Sequence, residues 1–275
     1  MLTLNCKGKI LVLDKPIIMG IINVTPDSFY AGSRRTFLDD ILREAEKMLR
    51  DGATILDIGG ESTRPGSEEI PLDEELARVI PAIEGICKRF PQSIISVDTY
   101  HAAIAAKAVQ AGAAIVNDIS SGSLDSEMIS TVASLQVPYV AMHMKGTPKT
   151  MNKLASYDDV VLDVLDFFIK KSEECRQAGI KDVIVDVGFG FAKTISHNLT
   201  LLKKLSILKI LEKPILVGLS RKATIYKTLE TTPENALNGT TVLNTIGLQN
   251  GANILRVHDV KEAMEAIKLI GALNE

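Results

Sequence analysis

Short, uninterrupted apolar runs alternate along the chain with longer stretches in which apolar residues recur every three or four positions. The runs are rich in Val, Ile and Leu and lack the apolar–polar alternation of a strand with one face in water. Continuous apolar runs are typical of parallel strands that are covered on both faces. The eight strands predicted in this way span residues 17–22, 54–58, 94–97, 114–116, 139–142, 183–187, 215–218 and 254–257.

The stretches between these runs have the spacing of amphipathic helices. The first begins at Thr36, a residue type that caps helices, and ends at Gly52, a residue type that terminates them. The strand ends recur about every 33 residues, close to the ~31 expected when roughly 250 residues form eight strand–helix units. The predicted helices span residues 36–52, 72–89, 100–110, 125–135, 157–178, 198–211, 233–249 and 259–273.

Eight strand–helix units can form a closed (β/α)8 barrel, the TIM barrel, or an open doubly wound sheet. An open nucleotide-binding sheet is expected to carry Gly-x-Gly-x-x-Gly after its first strand, whereas residues 23–27 read NVTPD. The α/β barrel is therefore the predicted fold. Because no linker or break in composition divides the chain, we expect residues 1–275 to form a single domain.

Composition and charge argue against several classes of partner. The net charge is −3 and Trp is absent, so neither a basic surface nor a stacking platform for nucleic acid is expected. No apolar segment is long enough to cross a membrane, and the N-terminus lacks the apolar core of a signal peptide. Cys6, Cys87 and Cys175 form no paired motif, so we expect reduced thiols and a cytoplasmic protein.

All eight predicted strands end in polar residues, and in a barrel the carboxyl ends of the strands surround the reaction site. Asp and Asn at such positions also cap helices, but capping alone does not explain eight strands of eight. We interpret the ring as a site for a polar ligand, although for His143 a structural role is favoured. The residues of the ring are Asn23, Asp57, Asp98, Asn117, Asp118, His143, Asp186, Ser220, Arg221, Lys222, Arg256 and His258.

This ring has two predicted chemical poles. Arg256, His258 and Asn23 follow the last and first strands, which adjoin when the barrel closes, and Arg64 follows the second strand. Cations that converge there would hold an anion such as phosphate. Across the mouth, the acids and amide of the third, fourth and sixth strands offer acceptors without a cation, which suits a nitrogen-rich ring.

Eight short motifs follow one another from the first predicted strand to the last helix. In one-letter code they read MGIINVTPDSF (19–29), DIGGESTRPG (57–66), VDT (97–99), NDIS (117–120), HMKGTP (143–148), GFGFAK (188–193), SRK (220–222) and RVHD (256–259). Together they resemble the motifs of the dihydropteroate synthases, in the family's order and over nearly the whole chain.

The resemblance implies a TIM-barrel transferase of folate biosynthesis. Such an enzyme condenses 6-hydroxymethyl-7,8-dihydropterin pyrophosphate with p-aminobenzoate, yields 7,8-dihydropteroate and pyrophosphate, and is a sulfonamide target. The resemblance further implies Mg²⁺ as cofactor, small-molecule substrates, and a homodimer that packs through helices near the end of the barrel sequence.

It also implies a role for each matching site residue. The pterin is expected to be held by Asp98, Asn117, Asp186 and Lys222. The pyrophosphate is expected to be bound by Asn23, Thr63, Arg64, Arg256 and His258, with Asn23 also coordinating Mg²⁺. The residues similar to the p-aminobenzoate pocket are Phe29, Thr63, Pro65, Phe191, Ser220 and Lys222. The expected catalytic residues are Asp98, Lys222, Arg256 and His258.

The chemistry of such a condensation favours a dissociative displacement. The aromatic amine needs no deprotonation before attack, so the difficult event is breaking the carbon–oxygen bond to pyrophosphate. We expect pyrophosphate to leave first and a cation to delocalise into the dihydropterin ring. The glycine-, serine- and proline-rich segments 25–35 and 59–67 are predicted to be lids that exclude water from this cation.

The chain departs from the family pattern at one motif, and other functions stay open. Where the family commonly has Asp-Pro-Gly, this chain has Asp186-Val187-Gly188, which frees one backbone torsion and restores an N–H donor. The alternatives are a Schiff-base aldolase that uses Lys222, a corrinoid-linked pterin-binding methyltransferase, and a non-catalytic pterin-binding barrel. No His-x-x-x-His or His-Glu-x-x-His spacing is present, which argues against a tightly bound transition metal.

Overall fold

A closed barrel of eight parallel strands forms the centre of the molecule. The computed structural model of the chain describes residues 1–25, 34–61 and 70–273. The strands are a hairpin, β1 (Leu2–Cys6) and β2 (Lys9–Leu13), followed by β3 (Ile17–Asn23), β4 (Ile55–Gly59), β5 (Ile94–Asp98), β6 (Ile115–Asp118), β7 (Tyr139–Met142), β8 (Val183–Asp186), β9 (Ile215–Val217) and β10 (Ile254–Val257). Strands β3 to β10 pair in sequence order, and β10 pairs with β3 to close the barrel.

Helices follow the barrel strands and cover the outside of the barrel. They are α1 (Arg34–Asp51), α2 (Leu72–Arg89), α3 (Ala102–Ala111), α4 (Met128–Leu135), α5 (Val160–Ala178), α6 (Ile195–Lys203), α7 (Ala223–Thr228), α8 (Leu237–Gln249) and α9 (Val260–Leu273). Short 3₁₀ segments span Met151–Leu154 and Leu205–Leu211. Within the described residues, no helix is both long enough and apolar enough to cross a bilayer.

The eight apolar runs are confirmed as the barrel strands, within two residues at every end. The helix boundaries are less accurate: α1 begins at Arg34 rather than after Thr36, and the single helix predicted over 198–211 is α6 followed by a 3₁₀ segment. Three elements have no counterpart in the prediction, namely the N-terminal hairpin, the 3₁₀ segment Met151–Leu154 and the short helix α7.

Alternation along the strands separates an apolar layer from a polar layer inside the barrel. Side chains two residues apart on a strand lie on the same face. Ile55 is therefore followed inside the barrel by Asp57, and Ile184 by Asp186. The apolar layer near the amino ends of the strands contains Ile17, Met19, Ile55, Ile94, Ile115, Val140, Ile184, Leu216 and Ile254. The polar layer lies at the carboxyl ends, the end that carries active sites in this architecture.

The N-terminal hairpin covers the amino end of the barrel. Leu4, Cys6 and Leu13 are buried in the same cluster as the apolar layer. The hairpin is also tied to the last turn of α3, since the Lys7 ammonium donates to the Val109 carbonyl at 2.7 Å. The hairpin thus seals the end of the barrel opposite the polar layer.

Candidate active site

Closure of the barrel brings the polar ends of its strands around one mouth. The register pairs Gly59 of β4 with Asp98 of β5, and Asp98 with Asn117 of β6. Gly59 supplies no side chain, and an added Cβ there would lie 3.5 Å from the Asp98 Cβ. Asp98 and Asn117 are therefore neighbours at the rim, and Asp186 and Arg256 lie on strands of the same closed sheet.

Arg256 reaches across the mouth to two carboxylates. Its Nε donates to Asp57 Oδ2 at 2.6 Å, and its Nη2 donates to Asp98 Oδ2 at 2.5 Å. The Asp57 side chain is fully buried, and the side chains of Asp98 and Arg256 are 10% and 19% exposed. The two carboxylates raise the pKa of the guanidinium despite its burial, so the arginine stays charged.

Both of these carboxylates keep one oxygen without a partner. Within the described residues, Oδ1 of Asp57 and Oδ1 of Asp98 are buried and accept no hydrogen bond. Buried polar atoms in native proteins are normally satisfied, and an unsatisfied one costs roughly 1–3 kcal/mol. Two such acceptors in one mouth are the arrangement expected of a site that binds N–H donors of a ligand.

The carboxylates of the mouth are held in conditions that disfavour their charge. Burial raises the pKa of Asp98 to about 7; Arg256 opposes this shift, and the neighbouring carboxylates of Asp57, Asp118 and Asp186 add to it. Burial likewise raises the pKa of Asp186, against the attraction of Lys222. A ligand that brings positive charge or N–H donors would stabilise both carboxylates.

Asp57 of β4 connects residues of β6 and β10, although the sequence predicts no specific role for it beyond its place in the ring. Its Oδ2 accepts from the Asn117 amide at 2.9 Å as well as from Arg256. Asn117 is thereby fixed at the rim of the barrel, 4% exposed. The signal in the sequence is that Asp57 lies inside a strand between Leu56 and Ile58, because burying a carboxylate costs free energy unless the group is paired or binds a ligand.

Lys222 lies between the end of β9 and the segment that follows β8. Its ammonium donates to the Phe189 carbonyl at 2.6 Å and lies 4.9 Å from the centre of the Phe191 ring. Burial lowers the pKa of Lys222 to about 8, while Asp186 opposes the shift. An added Cβ at Gly218 would lie 3.8 Å from this ammonium, so the glycine leaves space beside Lys222.

The segment after β8 is held by a buried lysine. The Lys193 ammonium is hydrogen-bonded to His143 Nδ1 at 2.8 Å and donates to the carbonyls of Gly188 and Phe191 at 3.1 and 3.0 Å. Burial lowers the pKa of His143 to about 2, so this imidazole is neutral, in keeping with its expected structural role. Val187, at the position of the family proline, is fully buried in the core, and packing restrains the segment there.

Ser220 and His258 meet at the ends of β9 and β10. The Ser220 hydroxyl lies 3.1 Å from His258 Nδ1, and the His258 backbone N–H donates to the same hydroxyl at 3.3 Å. The predicted pyrophosphate and p-aminobenzoate residues are thus in contact at this point. Asn23 ends β3 beside Gly59 and is partly buried.

The structure corrects two members of the predicted ring. Arg221 does not face the ligand space: its guanidinium donates to both oxygens of Asp259 and to the carbonyl of Glu234. Asp118 is equally committed, because its carboxylate accepts from Ser120, Gly122 and Tyr139. Their side chains stabilise loops behind the mouth.

The predicted separation into a cationic pole and a cation-free acceptor pole is also wrong. A guanidinium on a long side chain spans the narrow mouth, so Arg256 pairs with the acceptors instead of standing apart from them. Lys222 likewise lies close enough to Asp186 to influence its pKa. Phe29, Thr63, Arg64 and Pro65, and most of the two predicted lids, lie outside the described residues.

Comparison with known proteins gives consistent results. Residues 19–258 match the family described as pterin binding enzyme. The dihydropteroate synthase of Escherichia coli K12 is 44% identical over 271 residues, which cover 98% of this chain and 95% of that protein. A structure of the Yersinia pestis dihydropteroate synthase with a sulfonamide drug has a TM-score of 0.93, 42% identity and 99% coverage of both chains. The Xanthomonas albilineans enzyme in complex with 7,8-dihydropteroate has a TM-score of 0.89, 37% identity and 99% coverage of both chains.

Proposed function

The chain belongs to the dihydropteroate synthases of the pterin binding enzyme family, and from this membership we propose how its barrel mouth performs the reaction. The enzyme transfers the dihydropterin-methyl group of 6-hydroxymethyl-7,8-dihydropterin pyrophosphate to p-aminobenzoate, yielding 7,8-dihydropteroate and pyrophosphate. The observation that supports this assignment is the position of Arg256, which bridges two buried carboxylates; each of them keeps one oxygen without a partner among the described residues.

The pterin ring binds, in this proposal, to Asp98, Asn117, Asp186 and Lys222. A pterin presents ring and exocyclic N–H donors along one edge, and carboxylates accept such donors in charge-assisted hydrogen bonds. Asp186 is preorganised for this role because the Gly188 N–H donates to its Oδ1 at 2.8 Å and fixes the side chain. The space beside Gly218 and Lys222 accommodates part of the ring.

The pyrophosphate binds at the ends of β3 and β10. Arg256 supplies a charged guanidinium that is only partly engaged by its carboxylates, and His258 lies two residues further along the chain. Asn23, Thr63 and Arg64 complete the proposed set. Together these groups stabilise the negative charge that builds up on the leaving group.

Mg²⁺ fits this end of the site as a partner of the substrate. Asn23 offers one neutral amide oxygen, and Mg²⁺ accepts oxygen ligands while keeping several waters and substrate phosphates. Asn23 would hold the ion together with pyrophosphate oxygens. When bound, Mg²⁺ neutralises charge on the leaving pyrophosphate. We expect Mg²⁺ to bind weakly before the pyrophosphate substrate is present.

The displacement is dissociative. The bond from the pterin methylene carbon to the pyrophosphate oxygen breaks, and its electron pair leaves with pyrophosphate. The carbocation delocalises into the dihydropterin ring, where Asp98 and Asp186 stabilise its positive charge. The amine nitrogen of p-aminobenzoate then forms the new carbon–nitrogen bond and loses a proton to solvent.

The p-aminobenzoate pocket contains Phe191, Ser220 and Lys222 among the described residues. The ammonium of Lys222 lies over the Phe191 ring, which gives the pocket an aromatic wall beside a cation. Phe29, Thr63 and Pro65 belong to the same proposed pocket. A sulfonamide shares the aniline of p-aminobenzoate, so the pocket is a sulfonamide target and the drug competes with that substrate.

The central prediction is tested by assaying the purified protein with the pterin pyrophosphate, labelled p-aminobenzoate and Mg²⁺. Dihydropteroate is expected only when all three are present. Asp98→Asn keeps the shape of the carboxylate but removes its charge, so kcat is expected to fall by about 10²–10³ while pyrophosphate still binds. Asp166→Asn, an exposed substitution on α5, is the matched control and is expected to keep wild-type activity. Wild-type turnover in Asp98→Asn would refute the role.

We further propose a homodimer that forms through α8 and α9. Val242 on α8 and Leu269 and Leu273 on α9 are 50%, 69% and 76% exposed, which leaves an apolar face on adjacent helices. We expect Leu269→Glu to halve the mass measured by light scattering. The control Leu162→Glu on α5, where the leucine is 54% exposed, is expected to leave the mass unchanged. A monomeric wild-type protein would contradict the proposal.

The free thiols of Cys6, Cys87 and Cys175 support a cytoplasmic location.

A further inference from the structure

A second group of ionisable side chains lies behind the mouth. Glu61 follows β4, Glu75 lies in the first turn of α2, and His101 immediately precedes α3. One ligand atom of each residue lies within 4.8 Å of those of the other two. Glu61 and Glu75 belong to the β4–α2 unit and His101 to the following β5–α3 unit, so the folded barrel brings the three residues together.

Glu75 is the member of this cluster that needs an explanation. It is 1% exposed, and it packs under Gly60, where an added Cβ would lie 2.8 Å from the Glu75 Cγ. Within the described residues, neither Glu75 oxygen nor Oε2 of Glu61 has a partner with hydrogen-bond geometry. Arg78, the nearest cation on α2, donates instead to the Gly60 carbonyl and to Glu74.

The electrostatics of Glu75 are those of a carboxylate that lacks a cation. Burial raises the pKa of Glu75 to about 7, and the charges of Glu61 and Asp98 raise it further. The Thr99 hydroxyl and Arg78 lower the pKa but do not cancel the shift. A buried carboxylate whose favourable neighbours are only the Thr99 hydroxyl and Arg78, and which lies beside a second carboxylate, is costly unless a proton or a metal ion occupies the space between the two acids.

We propose that Glu61, Glu75 and His101 form a binding site for a divalent transition-metal ion of the Zn²⁺ type. Two carboxylate oxygens and one imidazole nitrogen are a ligand set that Zn²⁺ accepts, with water in the fourth position. The imidazole favours Zn²⁺ over Mg²⁺, which prefers oxygen ligands alone. The site is separate from the proposed Mg²⁺ position at Asn23, which contributes no atom to the cluster.

The geometry is close to what such an ion requires. Ligand atoms about 2.1 Å from a tetrahedral ion are ~3.4 Å apart. The three atoms are at most 4.8 Å apart, so small side-chain rotations bring them into place. The bound ion would tie the end of β4 to α2 and to the start of α3, and it would place a positive charge near Asp98. It would therefore stabilise the fold as well as the edge of the mouth.

The test is metal binding by the full chain without any substrate. After dialysis against a chelator, Zn²⁺ is titrated in competition with a chromophoric chelator, and the stoichiometry is checked by elemental analysis. We expect one competing site per chain, with the affinity reduced at least tenfold in both Glu75→Gln and His101→Ala. Glu74→Gln and His197→Ala are matched controls on the same helix and at another helix start, and both are expected to bind like the wild type. Zn²⁺ should also raise the Tm of the wild type and of the controls but not of the two site variants.

Other outcomes overturn the proposal. Equal Zn²⁺ affinity in the wild type, Glu75→Gln and His101→Ala would place the metal elsewhere, and the absence of a competing site would leave a carboxyl pair that shares a proton. Displacement of Zn²⁺ by an excess of Mg²⁺ would contradict the role of the imidazole. Two variants on different elements guard against loss of folding in either, which circular dichroism detects. Because no substrate is present, the result does not depend on dihydropteroate synthesis.

Discussion

At the scale of single residues, the acceptors Asp57 and Asp98 in the barrel mouth pair with the same cation, Arg256. Asp57 is fully buried and shares Arg256 with Asp98. Removing one partner from a buried ion pair typically costs 3–5 kcal/mol, since the other charge is left uncompensated. The arrangement therefore keeps two carboxylates close together in a buried place, and the guanidinium opposes the rise that burial causes in the pKa of Asp98. Their unpaired oxygens are available to a ligand at the expense of stability.

This balance predicts a pH dependence that belongs to Asp98. Its pKa is raised to about 7 from 3.8, so the folded state binds more protons than the unfolded state between these values. The free energy of unfolding should then fall as the pH rises from about 4 to 7, and Asp98 should contribute no further change above that range. Asp98→Asn should remove this part of the dependence.

The measurement is urea unfolding of the wild type and of Asp98→Asn between pH 4 and 8. The free energy of unfolding of Asp98→Asn minus that of the wild type should rise with pH up to about pH 7 and then level off. Glu75, whose pKa is also raised to about 7, is present in both proteins, so only the part of its shift that the Asp98 charge causes enters the difference. Parallel curves for the two proteins would show that the Asp98 pKa is not raised.

At the scale of elements, the segment after β8 positions Asp186 through its backbone. Gly188 has a φ of +68°, and an added Cβ there would lie 2.1 Å from the His143 carbonyl oxygen. The Gly188 N–H donates to the Asp186 carboxylate, and the Lys193 ammonium donates to the carbonyls of Gly188 and Phe191. The segment therefore needs a glycine for two independent reasons, one of conformation and one of space.

Gly188→Ala separates these reasons when it is compared with Gly8→Ala. Gly8 also has a positive φ, of +88°, but an added Cβ there would have no atom of the described part of the chain within 4 Å. In the control Gly8→Ala, the free energy of unfolding should fall only by the conformational cost of a positive φ, roughly 1–3 kcal/mol. Gly188→Ala should lower the free energy of unfolding by more than the control does. It should also weaken the binding of the pterin pyrophosphate, because the steric clash displaces the backbone N–H that donates to Asp186. Equal losses in the two variants would contradict the steric role of the His143 carbonyl.

Elements with a strong local pattern were predictable, and contacts between distant elements were not. The barrel strands are buried on both faces, so their apolar runs were visible in the sequence and their polar ends followed. The hairpin β1–β2 was missed because Lys9 and Asn5 interrupt its pattern and its apolar side chains pack against the barrel end. The commitment of Arg221 to Asp259, and the approach of Glu75 to His101, depend on tertiary packing that residue spacing does not encode.

At the scale of the whole molecule, stability and chemistry lie at opposite ends of the barrel. The hairpin buries Leu4, Cys6 and Leu13 at the amino end, and Asp98, Asp186 and Arg256 lie at the carboxyl end. In this architecture the two ends are generally separate in this sense. Substitutions at the amino end should therefore change the free energy of unfolding without changing the affinity for substrates.

Leu4→Ala tests this separation. Leu4 is 1% exposed, and truncating a buried leucine costs about 2–5 kcal/mol. Ile10→Ala on the same hairpin is the control, since Ile10 is 62% exposed and the change should stay within about 0.5 kcal/mol. Both variants should keep the wild-type KM for the pterin pyrophosphate and for p-aminobenzoate. A raised KM in Leu4→Ala would show that the hairpin and the mouth are coupled.

The bridge from Arg256 to Asp98 also has a consequence for inhibitors. A bicyclic head group alone meets an Asp98 carboxylate whose Oδ2 is still shared with the guanidinium, whereas a compound with an anionic tail is expected to draw the guanidinium toward itself and free the second oxygen. The anionic tail should thus strengthen the binding of the bicyclic head group to Asp98 without contacting that head group. Joining the two fragments should give more affinity than their separate contributions, and shortening the Arg256 side chain should abolish that surplus.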